Sequence, residues 1–231
     1  MQTTLLPLSN PLAVETLRIA RYKLRSRVLG PGERAVVWFQ GCSLDCPGCI
    51  AAEMNRSTTW LSYSPTELVE LVSSVAGIEG VTLSGGDPFD QPKAALIEFL
   101  RQLRALTSLS VMCYTGRTLR QLESASDATL NGEILSLCDI LIDGVYDERR
   151  NDGHQWRGSS NQEIHFLTDR YRHLADEIRS SKERAVEVDL STDKVVSITG
   201  IPAPRFLERL RQQLAERGIE WSYQGDDGSD G

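Results

Sequence analysis

At 231 residues, 40% hydrophobic and 25% charged, the chain is long enough for a full core and too apolar for general disorder. A net charge of −7 and a pI near 5.1 argue against nucleic acid or an anionic membrane as the main partner. No run approaches the ~20 apolar residues of a membrane span, and the start MQTTLLPLSNPLAVETL lacks the basic head and apolar core of a signal peptide, so the expected compartment is the cytoplasm.

In chain order, residues 1–16, with Pro7 and Pro11, read as an arm. LRIARYKL (17–24) alternates and predicts a strand; GPGER (30–34) predicts a turn, and AVVWFQ (35–40) an apolar strand that delivers the chain to Gly41 and Cys42. SPTELVELVSSV (64–75) predicts a helix. Ser64 serves as N-cap, Pro65 suits the first helical position, Glu67 closes a capping box, and Leu68, Leu71, Val72 and Val75 share one face. GVTLSGGDP (80–88) predicts a short buried strand ending in a glycine turn, and residues 92–106 an amphipathic helix. LSVMCYTG (109–116) predicts strand then turn. A weaker helix is expected around 118–137, then the strand DILIDGVY (139–146), a polar loop over 147–162 and a helical stretch near 163–181. AVEVDL (185–190), KVVSITG (194–200), a helix over 204–217 and IEWSY (219–223) complete a single domain over 17–223, with an extension from about 168. The acidic, glycine-rich tail 224–231 predicts disorder.

Strands alternating with crossover-length helices predict an α/β fold with a mainly parallel sheet. In such folds the loops at the C-terminal strand ends gather on one face. Here those loops are GCSLDCPGC, SGGDP, YTG, IDGVYDERR and ITGIP.

Three of the five cysteines, Cys42, Cys46 and Cys49, fall within GCSLDCPGCI (41–50) as CxxxCxxC. Pro47 and Gly48 let the backbone turn tightly, and the loop is short enough to wrap one corner of an inorganic cluster. Structural zinc needs a fourth ligand from His or Cys, but His154, His165 and His173 lie far along the chain without HxxxH spacing. A ferredoxin-type cubane needs a fourth thiolate, for which Cys113 and Cys138 are the candidates. Both sit in strand patterns, where a small buried core residue is the ordinary reading. That leaves a cluster with one iron free of protein ligands, and an open iron is a binding site.

Together these residues resemble the radical S-adenosylmethionine (SAM) superfamily, and within it the glycyl-radical activating enzymes. GPGERAVVWFQGCSLDCPGC (30–49) is similar to the start of anaerobic ribonucleotide reductase activating proteins, as are YTG (114–116), DILIDGVYDERRND (139–152) and WRGSSNQ (156–162). The resemblance covers roughly residues 17–167. It implies an incomplete (β/α) barrel, open at one side, with a [4Fe–4S] cluster held by Cys42, Cys46 and Cys49. SAM's methionine amino and carboxylate groups would chelate the open iron. SGGDP, from Ser84 through Gly85, Gly86 and Asp87, is then expected to receive the methionine amino group. The glycines would let backbone approach the ligand, and Asp87, in place of the relatives' glutamate, would sit beside the ammonium. Tyr114, Thr115 and Asp143 are further candidate cofactor contacts, set against plain turn chemistry.

The implied reaction needs no catalytic side chain, because the radical is generated on SAM. Reductive cleavage yields a 5′-deoxyadenosyl radical, which takes hydrogen from a glycine of a large partner such as anaerobic ribonucleotide reductase. A low-potential donor such as flavodoxin or ferredoxin is expected to supply the electron. The alternative keeps the radical chemistry and changes the substrate to a small molecule or peptide, as in 7-carboxy-7-deazaguanine synthase.

Overall fold

A computed structural model describes residues 15–56, 58–190 and 196–219. The expected arm up to residue 14, most of IEWSY and the acidic tail lie outside them. Strand β1 (Leu17–Ser26) pairs antiparallel with β2 (Arg34–Phe39), which runs into the cysteine loop. After α1 (Glu53–Arg56) and the short edge strand β3 (Leu61–Tyr63) comes α2 (Pro65–Ser73). The expected capping box is present: Ser64 Oγ accepts from Glu67 N while the Glu67 carboxylate accepts from Ser64 N. The chain then alternates through β4 (Gly80–Gly85), α3 (Lys93–Leu106), β5 (Ser110–Tyr114), α4 (Leu119–Ser124), α5 (Ala128–Ser136) and β6 (Ile140–Asp143). It ends with β7 (Glu163–Phe166), α6 (Ala175–Ser180), β8 (Val186–Leu190), β9 (Val196–Gly200) and α7 (Phe206–Ala215).

Seven strands form one sheet in the order β3-β1-β2-β4-β5-β6-β7, with edges at β3 and β7. The centre, β2-β4-β5-β6, is parallel. The flanking pairs β1–β2, β1–β3 and β6–β7 are antiparallel. A sheet with a parallel centre and open edges is compatible with the expected incomplete barrel. Two stretches differ from the sequence reading. The helix expected over 118–137 is two helices, the second starting after Asp127. Residues 163–166, expected to be helical, form β7, because Ile164 buries against β6 while its neighbours complete an antiparallel ladder. Among the described residues the two C-terminal strands, β8 and β9, pair antiparallel with each other in a second sheet.

Period-two alternation divides β2 between two cores. Ala35, Val37 and Phe39 join the main core beneath α2 and α3, with Leu68, Val72, Leu96 and Phe99. Val36 and Trp38 face the concave side, where Leu29 and Met54 cover them. Arg34, on that same side, is 1% exposed and floors the concave face. Its guanidinium donates to Thr82 Oγ1, Ser110 Oγ and Val81 O, each at 2.8 Å, and Tyr171 Oη reaches the same Ser110 hydroxyl at 2.8 Å. Burial pushes the Arg34 pKa down. Among the described residues no helix is long and apolar enough to cross a membrane.

Candidate functional site

A cavity of about 1190 Å³ opens at the C-terminal ends of the parallel strands. Cys42, Cys46 and Cys49 line it together with Ser84–Asp87, Tyr114 and Thr115. The structure thus brings together nine of the ten residues expected to bind metal or cofactor. The tenth, Asp143, is absent from the lining. Cys113 and Cys138 are fully buried in the main core, so neither faces the cysteine loop's cavity. Among the described residues no three His, Cys, Asp or Glu side chains are gathered closely enough for a single metal ion.

The three thiols are free and half-buried. Burial raises the pKa of Cys42 and Cys49, as expected for thiols withdrawn from water. Bound iron would reverse that preference, since a coordinating thiol is deprotonated outright. The donor set fits a cluster: three soft sulfur ligands at the edge of a space large enough for further ligands, with no other cysteine and no histidine in its lining.

Gly85 and Gly86 are required by the chain itself. Gly86 N donates to Phe39 O and Asp87 N to Gly41 O, stitching the β4 loop to the entry of the cysteine loop. A Cβ on Gly86 would meet Gly41 O at 2.1 Å, and one on Gly85 (φ +92°) would meet Phe39 N at 2.7 Å. The close approach expected toward a ligand is therefore made first to the neighbouring backbone.

Asp87, which lines the cavity, also has partners within the chain. Its buried carboxylate accepts from Phe89 N, Gly116 N and the Arg117 guanidinium, with Thr115 Oγ1 at 2.9 and 3.0 Å from its two oxygens. Burial pushes its pKa up, against the pull of Phe89 N, Arg117 and Thr115. Asp87 and Thr115 thus form a strut between the loops after β4 and β5. Arg117 extends that strut. Its other nitrogen donates to Asp90 Oδ1 at 2.6 Å and to Ser43 Oγ at 3.0 Å, while Ser43 N donates to Asp90 Oδ2. The sequence reading passed over Arg117; the available signal was one cation, directly after YTG, facing two carboxylates three residues apart.

Tyr114 lines the cavity with its hydroxyl buried and without a hydrogen-bond partner among the described residues. Burial drives its pKa far up, so the hydroxyl stays protonated and can both donate and accept. The Asp143 carboxylate instead accepts from Leu119 N at the start of α4 and from Glu163 N, and lies 3.0 Å from His165 Nε2. WRGSSNQ folds on itself and onto the end of β6. The Gln162 side chain accepts from Gly158 N and Ser159 N and donates to Gly144 O, and Asn161 Nδ2 donates to Val145 O.

A family described as "4Fe-4S single cluster domain" matches residues 28–165. The anaerobic ribonucleoside-triphosphate reductase-activating protein of Vibrio cholerae is 30% identical over 152 residues, spanning 61% of this chain and 92% of the relative. The protein of that name from phage T4 is 31% identical over 151 residues, 62% of this chain and 89% of its own. The solved structure of QueE from Escherichia coli overlaps 58% of this chain and 73% of its own at 14% identity and a TM-score of 0.37.

Proposed function

The chain belongs to the 4Fe-4S single cluster domain family and to the anaerobic ribonucleoside-triphosphate reductase-activating proteins, and on that premise we propose that it is a radical SAM enzyme that installs a glycyl radical on an anaerobic ribonucleotide reductase. One juxtaposition supports the reading: the three thiols line the same cavity as the loops after β4 and β5, with volume enough for a nucleoside-sized ligand. Cys42, Cys46 and Cys49 would hold the cluster, which when bound would supply the electron for reductive cleavage of SAM and so for removal of the glycine Cα hydrogen.

The chain's own residues position and enclose. Ser84, Gly85 and Gly86 offer backbone polar atoms to the methionine end, while Asp87 and Thr115 hold that loop in place. Tyr114 contributes the unpartnered hydroxyl. Asp143 acts at one remove, fixing the start of α4. The walls exclude water and competing hydrogen donors. A low-potential donor such as flavodoxin or ferredoxin supplies the electron, and the reducing cytoplasm suits the free thiols.

Anaerobic reconstitution with iron and sulfide, reduction, and chromatography for 5′-deoxyadenosine test the first half. EPR of the reductase mixed with the loaded protein tests the second. Absence of SAM cleavage with a fully reduced cluster overturns the proposal; cleavage without a radical on the reductase returns the substrate to the small-molecule alternative.

A further inference from the structure

The family match ends at residue 165, yet Gly200, Ile201, Pro202, Phe206 and Leu207 line the same cavity as the cysteines. The relatives share only about three-fifths of this chain, so a wall of its cavity comes from outside the matched segment. That wall is firmly attached. Lys23 on β1 pairs with Glu187 at 2.9 Å and with Asp189, Arg27 N donates to Glu187 at 2.8 Å, and Arg21 donates to Ile198 O. Ile201 packs against the small apolar cluster that includes Trp38 and Met54, the residues on either side of the cysteine loop in the chain.

Arg184 is the hub of this attachment. Its guanidinium donates to Pro202 O at 3.0 Å, and also to Asn151 Oδ1, His154 O, Arg157 O and Gly158 O. All five acceptors are uncharged. Three belong to WRGSSNQ or the residues just before it, one to DERRN, and Pro202 to the extension. One side chain therefore joins the segment after β9 to the loop after β6, and both contribute to the lining through Pro202 and Gly158.

We infer that residues 200–208 are a built-in wall of the radical cavity and that Arg184 is the positioning residue that holds this wall closed. The inference rests on the proposed radical chemistry. A displaced wall admits solvent-borne hydrogen donors, so SAM would be consumed without a glycyl radical forming.

The test compares wild type with Arg184→Ala, Arg184→Lys and Ile201→Ala. In cofactor-free protein, hydrogen exchange in peptides covering 196–208 is expected to accelerate roughly fivefold or more in Arg184→Ala, less so in Arg184→Lys. In the loaded enzyme with its reductase, 5′-deoxyadenosine released per glycyl radical is expected to rise severalfold in Arg184→Ala and Ile201→Ala, with partial restoration by lysine. A folded Arg184→Ala protein with an unchanged ratio overturns the inference, whether or not its exchange is faster. If that variant fails to fold, Ile201→Ala decides by the same ratio. Failure of wild type to cleave SAM would instead overturn the proposed function, an outcome the exchange measurement distinguishes.

Discussion

Arg117 Nη2 donates to Ser43 Oγ at 3.0 Å, so the residue after the first cysteine is fastened to the loop that follows β5. Arg117 also pairs with Asp87, whose side chain is 1% exposed, at 2.9 Å. The position of Cys42 is thereby tied to the loops after β4 and β5 through one guanidinium.

Arg117→Ala should leave the Asp87 carboxylate buried without its cation, at a cost of about 3 kcal/mol. Cluster iron should also be lost faster to a chelator, measured by the decay of its visible absorbance. Combining it with Asp87→Asn should recover part of the lost stability, because the uncompensated charge is then gone. Additive losses in the double variant would disprove the coupling.

Gly86→Ala should disturb the cluster before it disturbs SAM. Its new methyl group would press on Gly41 O, one residue from Cys42. Overpacking of this kind costs about 1–3 kcal/mol, and reconstituted iron per chain is expected to fall. Full iron content with SAM binding alone abolished would show that the glycine serves the ligand and not the neighbouring backbone.

Alanine at Cys42, Cys46 or Cys49 should abolish the cluster's spectroscopic signature. Alanine at Cys113 or Cys138 should retain it and cost about 1–2 kcal/mol in thermal or denaturant unfolding, as for a small core side chain. Loss of iron at either core position would place a fourth protein ligand on the cluster.

His165 and Asp143 make stability depend on pH. The Asp143 hydrogen bond is the main cause raising the His165 pKa above 6.5. Burial works to raise Asp143, but His165, Leu119 N and Glu163 N outweigh it and hold its pKa below 3.8. The His165 contribution is complete below 6.5 and is lost as pH rises through the elevated value. The Asp143 contribution is complete above 3.8 and is lost as pH falls through the depressed value. The pair therefore stabilises most between those two ordinary values. Thermal unfolding of His165→Asn should show a flatter fall in Tm between pH 6 and 9 than wild type; parallel curves would exclude the pair as the cause.

Local chemistry made much of this legible in sequence. Ser64, Pro65 and Glu67 announce their helix because a capping box is satisfied within four residues, and Cys42, Cys46 and Cys49 announce their loop by spacing alone. What stayed hidden depends on partners distant in the chain. Ile164, Leu167 and Leu174 carry helix-like spacing, yet pairing with β6 makes 163–166 a strand. The contact of the SGGDP glycines with Gly41 is a tertiary fact that local sequence does not carry. The same holds for the partners of Asp87, since Thr115 and Arg117 lie about thirty residues further along.

The floor built on Arg34 has a consequence for traffic. With its guanidinium bound to Thr82 and Ser110, and Tyr171 beside it, a polar plug fills the space between the strands at the end remote from the cysteine rim. A ligand reaching the cysteines would therefore come from the rim and not through that plug.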